Sequence, residues 1–281
     1  MINFNGTLHE TSSQLLSLEN RGYAYGDALF ETLKVVHGKV LFWDDHYFRL
    51  MASMRIMRME IPMNFTMEFL ENEVLKTVEA NHLLKATARV RLNVHREAQG
   101  KYTPSSNAIG YNILVERLNS DFYSLSDGTY VIELFKDFYM APGLLSTLKT
   151  NNKSINILGS IFAKENNYNN CLLLNTQKSV VEALNGNVFV VKNRVIKTTP
   201  LSEGCLKGIM RKQIMELVGK LEGYTLEETP ISPFELQKAD ELFITNTIVG
   251  IQTVTNYRKK EYSNEVAKVL IEKLNMKIRL S

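Results

Sequence analysis

Apolar and polar residues alternate over short stretches in the first part of the chain, a pattern that is typical of half-buried β-strands. Elsewhere apolar residues recur every three or four positions, which is typical of helices that bury one face. The alternating stretches predict strands within residues 23–43 around a tight turn at Gly38, over Ala86–His95 and over Tyr111–Val115. The helical pattern predicts one helix that begins at a cap on Asp44 or Asp45 and a second over residues 65–81.

Periodicity is lost over residues 118–129, where serine, aspartate and glycine are frequent. Such a run of polar turn formers predicts a linker between one domain at 1–117 and another at 130–281. The second domain is predicted to contain strands over 130–136, 171–175, 187–191 and 241–245, and helices over 153–168, 208–221 and 263–277. Strands and helices mixed within both halves predict an α/β (α+β) fold of two domains.

Composition excludes several classes of protein. With 281 residues and 44% hydrophobic content, the chain can bury the core of one large domain or of two modest ones. The net charge of +3 comes without a basic run interleaved with aromatic residues, so we expect no nucleic-acid partner. Cys171 and Cys205 form no metal or disulfide motif, and no apolar run approaches the ~20 residues of a membrane helix. We therefore expect a cytoplasmic protein with no metal site and no membrane contact.

Candidate chemistry is concentrated between Glu182 and Arg211, where the chain reads EALNGNVF, then IKT, then LKGIMR. The carboxylate of Glu182 could face a ring nitrogen, and a helix that starts after Gly208 could hold a phosphate. The order and spacing of these segments resemble the signature of class IV aminotransferases, the fold-type IV pyridoxal-phosphate enzymes. This resemblance implies pyridoxal 5'-phosphate in a cleft between two domains, and a homodimer in which each subunit contributes a loop to its partner's site.

The resemblance also implies a lysine to which the cofactor attaches, and two lysines compete for that role. Lys149 and Asn152 match the family's Lys-x-x-Asn pattern, and Lys149 lies 33 residues before Glu182, close to the family's interval. Lys153 also begins a Lys-x-x-Asn sequence, but it lies only 29 residues before Glu182 and requires an intervening helix about one turn shorter. We favour Lys149, which places Lys153 among the residues near the cofactor.

Other positions match the family one by one. Arg49 matches an arginine that binds the cofactor phosphate, as a guanidinium is suited to do. The resemblance further assigns cofactor contacts to Glu182, Asn187, Ile209, Met210, Asn246 and Thr247, and substrate contacts to Tyr25, Glu31 and Arg96. Two positions depart from the pattern: Leu184 stands where the family usually has a small residue, and Met210 where most aminotransferases have threonine.

Three functions follow from the resemblance. The first is amino transfer between a branched-chain-like or D-amino acid and a 2-oxo acid, which the pair Phe30-Glu31 favours. The second is the 4-amino-4-deoxychorismate lyase reaction, which the sequence GIMR and Arg96 favour. The third is a non-catalytic relative that keeps the fold, as Asn151 and Leu184 suggest. The first of these is our prediction.

Overall fold

A computed structural model describes residues 1–280 of the chain. The chain forms two compact units. The first unit contains residues 1–121 together with the short segment 149–152, and the second contains residues 122–148 and those from 153 onward. The division at 121/122 lies within the predicted linker, and the return of 149–152 to the first unit carries no signal in the sequence.

The first unit is built on one antiparallel sheet of six strands, in the order β2-β1-β6-β5-β3-β4. The strands are β1 (Ile2–Phe4), β2 (Thr7–His9), β3 (Ala28–Val36), β4 (Lys39–Val40), β5 (Thr87–Arg96) and β6 (Ile109–Leu118). The helices are α1 (Arg21–Ala24), α2 (Trp43–Ile56) and α3 (Met67–Ala80). Helix α2 contacts β3, and α3 contacts β5 and β6, so the fully buried residues Leu33, Val90 and Leu92 form the core beneath them.

Two predictions for the first unit were wrong in detail. Helix α2 is capped at Phe42, in the left-handed region at φ 56°, and neither Asp44 nor Asp45 caps it. Both carboxylates lie instead in the first turn, where negative charge is stabilised by the helix dipole. Strand β6 continues past the predicted end at Val115, because its pairing with β5 extends to Leu118.

The second unit contains two five-stranded sheets, in the orders β12-β11-β10-β13-β14 and β16-β15-β7-β8-β9. Their strands are β7 (Val131–Met140), β8 (Asn170–Asn175), β9 (Val180–Ala183), β10 (Asn187–Lys192), β11 (Val195–Thr198), β12 (Thr225–Glu228), β13 (Glu241–Asn246), β14 (Gly250–Thr253), β15 (Asn256–Tyr257) and β16 (Lys260–Glu261). The helices are α4 (Ser154–Glu165), α5 (Ile209–Val218), α6 (Pro233–Leu236) and α7 (Glu265–Leu280), with single 3₁₀ turns at Leu144–Thr147 and Leu201–Glu203.

Apolar residues of both sheets form one core in the second unit, with Ile132, Leu172, Val188 and Ile244 almost fully buried in it. The predicted mixture of helices and strands is confirmed, and the three long helices α4, α5 and α7 begin within two residues of their predicted starts. Within residues 1–280, no helix is both long and apolar enough to cross a membrane.

Candidate functional site

The segment that carries Lys149 is held against the start of strand β3. The backbone N–H of Phe30 donates to the carbonyl of Lys149 at 2.9 Å, and the N–H of Asn151 donates to the carbonyl of Ala28 at 2.9 Å. The half-buried side chain of Lys149 places its Nζ 4.5 Å from the centroid of the Phe30 ring. Backbone pairing therefore fixes this lysine on the first unit, whereas Lys153 belongs to the second unit at the start of α4.

A second cation shares the Phe30 ring. The Cζ atom of Arg91, on the neighbouring strand β5, lies 4.2 Å from the same centroid. Its Nε donates to Oδ1 of Asn93 at 2.8 Å, and burial lowers the pKa of its guanidinium. No motif in the sequence assigns a role to Arg91. Its proximity to the Phe30 ring depends on the pairing of β3 with β5, which no local pattern reveals.

Glu31, the next residue of β3, forms a buried ionic cluster with His46 and Arg49. Oε1 of Glu31 accepts a hydrogen bond from Nε of Arg49 at 2.8 Å, and its Oε2 accepts one from Nδ1 of His46 at 2.7 Å and another from a terminal nitrogen of Arg49. Burial alone would raise the pKa of Glu31, but the charge of Arg49 and the bond from His46 outweigh it and hold that pKa at about 2. Glu31 is 2% exposed, which supports a role in orienting Arg49 and His46.

His46 has an unusual environment. Burial lowers its pKa, the bond and charge of Glu31 oppose that shift, and the charges of Arg49 and Lys149 add to it. With Nδ1 donating to Glu31, the unprotonated nitrogen is Nε2. This atom is buried and accepts no hydrogen bond from any residue in the range 1–280. A neutral imidazole with an unsatisfied acceptor beside a candidate lysine indicates a site that a further polar group completes.

We expect the Glu31→Gln variant of the cofactor-free protein to be destabilised by about 3–5 kcal/mol, because removing one partner leaves Arg49 buried without its counter-charge. Urea unfolding at pH 7 measures this loss. In the wild type the contribution of Glu31 is complete above its unfolded-state pKa of 4.5 and disappears as pH falls towards about 2. The difference between wild type and variant should therefore shrink at pH 3.

Glu10 is exposed, so the Glu10→Gln variant is the matched control, with an expected change near zero. A Glu31→Gln protein as stable as this control at pH 7 would contradict the ionic interpretation of the cluster.

Arg96 and Tyr25 are both predicted to contact the substrate, but they differ in exposure and in their bonding partners. Arg96 is 6% exposed, and its guanidinium donates to Asp27 at 2.9 Å, to Asn107 at 2.6 Å and to the carbonyl of Met57 at 2.6 Å. These hydrogen bonds hold the guanidinium of Arg96 against the segments that carry Asp27, Asn107 and Met57. Tyr25 is half exposed, and its ring lies beside that of Tyr102, in the loop that follows β5.

In the second unit, the carboxylate of Glu182 is held from strand β9. Its Oε2 accepts a hydrogen bond from the backbone N–H of Leu206 at 2.8 Å and lies 3.5 Å from Nδ2 of Asn187. Asn187 also donates to the carbonyl of Leu206 at 2.9 Å. Asn187 is therefore a support for Glu182 and for the segment that leads to α5. Glu182 is 7% exposed, so its orientation is set by these backbone and amide contacts.

The start of α5 has the features of an anion site. Gly208 occupies the N-cap position, and in the described part of the chain no side chain caps this helix. A Cβ atom added at Gly208 would lie 2.0 Å from Oδ1 of Asn187, so the close approach requires glycine. The N–H groups and the helix dipole at such an end attract negative charge. Ile209 and Met210, which follow, are buried and can offer only their backbone.

The turn after β13 carries the remaining predicted residues. Oδ1 of Asn246 accepts hydrogen bonds from the N–H groups of Ile248 at 3.1 Å and Val249 at 2.9 Å. The side chain of Asn246 thus shapes the turn itself. Thr247, at its tip, is half-buried. Across residues 1–280, no group of three or more His, Cys, Asp or Glu side chains is arranged to hold a metal ion.

Comparisons with known proteins agree on one family. The family model described as amino-transferase class IV matches residues 28–257. A Methanocaldococcus jannaschii protein named as a candidate branched-chain-amino-acid aminotransferase is 30% identical over 289 residues, covering 99% of this chain and 95% of that protein. D-alanine aminotransferase of Listeria monocytogenes is 28% identical over 261 residues, covering 90% and 86%. The structure of branched-chain aminotransferase from Thermoproteus uzoniensis with norvaline has a TM-score of 0.87 at 22% identity, covering 97% and 92%, a likeness of fold.

Proposed function

The chain belongs to the class IV aminotransferase family, and from that premise we propose that it transfers an amino group between an amino acid and a 2-oxo acid with pyridoxal 5'-phosphate as cofactor. The observation that carries the proposal is the placement of Lys149 and Arg91 over one aromatic ring, Phe30. This ring thus has both an amine and a guanidinium near it; a guanidinium can bind a carboxylate, and every substrate of this reaction carries a carboxylate.

The residues present fit the cofactor of this family. The start of α5 offers backbone N–H groups to a phosphate at Gly208, where a larger residue would collide with Asn187. Arg49 in the first unit has a guanidinium held by Glu31, and a guanidinium is a suitable donor for a phosphate. Glu182 supplies a carboxylate oriented by a backbone bond. When bound, the cofactor supplies an electron sink for the electrons released when the substrate Cα–H bond breaks.

Each unit then contributes defined groups. From the first unit, Lys149 would hold the cofactor through its Nζ, and the same Nζ would take up the proton released at the substrate Cα and deliver it to the carbon atom that receives it. Positioned proton transfer of this kind contributes ~10²–10⁴-fold to the rate. Arg49 would bind the phosphate. Because two hydrogen bonds to Glu31 hold its guanidinium, the direction of that group is fixed before a phosphate binds.

From the second unit, Glu182 would keep the pyridine nitrogen protonated through a charge-assisted hydrogen bond. The bond from the N–H of Leu206 to Oε2 of Glu182 holds the carboxylate in place. Ile209 and Met210 would hold the phosphate through their backbone N–H groups, and Thr247 would add a hydroxyl. Asn187 and Asn246 would act through the segments that they hold, and Lys153 would be one of the residues near the cofactor.

For the substrate we propose a branched-chain amino acid as donor and a dicarboxylic 2-oxo acid as acceptor. The name of the M. jannaschii relative supports the donor, and the half-buried guanidinium of Arg91 supports a second carboxylate on the acceptor. Tyr25 lines the substrate side. The name of the Listeria relative supports a D-amino acid as the second candidate donor.

A homodimer is part of the proposal. Ile157, Leu158 and Ile161 on α4 are 59%, 41% and 48% exposed, and together they form an apolar face on the second unit. Contiguous exposed apolar surface of this kind marks an interaction site. A second copy of the chain is the partner that the family resemblance implies.

The test is a panel of half-reactions with the purified protein. Bleaching of the cofactor absorbance by L-leucine, L-valine or L-isoleucine, and its recovery with 2-oxoglutarate, is the expected result. Bleaching by D-alanine alone would favour the D-specific reaction, and release of pyruvate with 4-aminobenzoate from aminodeoxychorismate would favour the lyase. Cofactor binding without any spectral change across the panel would indicate a non-catalytic relative. Light scattering on the same preparation should give twice the 32.1 kDa chain mass.

A further inference from the structure

Tyr123 is a buried aromatic residue that no part of the proposed chemistry uses. It belongs to the second unit, lies in the region predicted as linker, and is 4% exposed. Its O–H donates to the backbone carbonyl of Thr247 at 2.7 Å. Burial raises the pKa of this phenol above its ordinary value, so the group remains a neutral donor throughout the working pH range.

The ring of Tyr123 also shapes the other end of the same turn. Gly250 has φ 78°, and a Cβ atom added there would lie 2.7 Å from Cγ of Tyr123. The turn from Thr247 to Gly250 therefore closes directly onto the ring. Glycine is required at its end both by the backbone angle and by this contact.

The backbone of Tyr123 is fixed by the C-terminal helix. Its N–H donates to Oδ1 of Asn275 on α7 at 2.9 Å, and Nδ2 of Asn275 donates back to its carbonyl at 2.7 Å. Two residues further along the same helix, Lys277 donates to Glu216 of α5 at 2.8 Å. Helix α7 thus contacts both Tyr123, which holds the turn at Thr247, and α5, whose first residues form the proposed phosphate site.

We propose that Tyr123 is a positioning residue that fixes the Thr247 turn for binding of the cofactor phosphate. The carbonyl of Thr247 and the N–H of Ile248 belong to one planar peptide group. The first is held by Tyr123, and the second by Oδ1 of Asn246 at 3.1 Å. With this plane held on both sides, the backbone that follows the Cα of Thr247 is fixed, and less ordering of the turn is needed when phosphate binds.

This inference rests on the proposed function, and its test separates the two. Apo-protein is titrated with pyridoxal 5'-phosphate and, in parallel, with pyridoxal, which lacks the phosphate. In the Tyr123→Phe variant only the hydroxyl is lost, and a net hydrogen bond of about 0.5–1.5 kcal/mol corresponds to a roughly 2–10-fold rise in Kd. We expect that rise for pyridoxal 5'-phosphate and no change for pyridoxal.

Tyr262 provides a matched control, because its O–H also donates to a backbone carbonyl, that of Leu236, at 2.7 Å within the same unit. The Tyr262→Phe variant should bind both compounds as the wild type does. An Asn275→Ala variant removes two hydrogen bonds to the backbone of Tyr123 and should repeat the phosphate-specific loss. It tests the positioning role if the Tyr123→Phe variant fails to fold. Equal weakening of both compounds, or no weakening in either Tyr123→Phe or Asn275→Ala, would overturn the positioning role. Failure of the wild type to bind pyridoxal 5'-phosphate would instead overturn the proposed function.

Discussion

The Lys149→Ala variant should lose amino transfer almost completely, with kcat lowered by at least the ~10²–10⁴-fold that a positioned proton-transfer group contributes. Lys149 is expected both to attach the cofactor and to carry the proton, and no neighbouring amine on the first unit is held at the Phe30 ring by comparable backbone pairing. Borohydride reduction of the wild type followed by peptide mapping should find the pyridoxyl group on Lys149.

The Lys153→Ala variant is the internal control, because Lys153 begins the competing Lys-x-x-Asn pattern only four residues later. It should keep the covalent cofactor and most of the turnover. Recovery of the pyridoxyl group on Lys153, with activity retained in Lys149→Ala, would assign the cofactor to the other lysine and leave the family membership unchanged.

The choice between these lysines shows how far the sequence can lead. The spacing to Glu182 favoured Lys149 but did not exclude Lys153 as the cofactor lysine. The length of the helix between the lysine and Glu182 could not be determined from the local pattern. In the structure, residues 149–152 return to the first unit and pair with β3, whereas Lys153 starts α4 in the second. Lys149 and Lys153 are only four positions apart but belong to different units, because long-range backbone pairing holds the first of them. The periodicity of a single sequence contains no information about such pairing.

The fold itself was largely predictable, since the long helices and the central strands bury apolar residues at regular spacing. Short strands such as β1 and β2, three residues each, offer too few positions for a pattern to appear. The wrong cap on α2 has a different cause. Asp44 and Asp45 are good capping residues by composition, but Phe42 adopts the left-handed conformation and moves the helix start two residues earlier.

At the candidate site, sequence motifs identified residues by type but not by partner. Glu31 was predicted to contact substrate because it lies in a motif, and the structure surrounds it with Arg49 and His46. Arg91 and Tyr123 had no motif at all. The roles proposed for them rest on contacts across strands or across more than one hundred residues, such as the bond from Tyr123 to Thr247. Such contacts are determined by the tertiary fold.

The Glu182→Gln variant should keep its cofactor and lose most of its turnover. A neutral amide cannot form the charge-assisted bond that keeps the pyridine nitrogen protonated, and such a bond is worth about 1.5–3 kcal/mol, a roughly 10–150-fold fall in kcat. The amide oxygen of the variant can still accept from the N–H of Leu206, so the loop before α5 and the phosphate contacts should persist. Kd for pyridoxal 5'-phosphate should therefore change much less than kcat, as titration and steady-state kinetics on one preparation can show.

Glu222 is exposed in the same unit, and its Glu222→Gln variant should match the wild type in both measurements. If kcat were unchanged in Glu182→Gln, this carboxylate would have no part in the reaction, and protonation of the ring nitrogen would have to come from another group of the second unit.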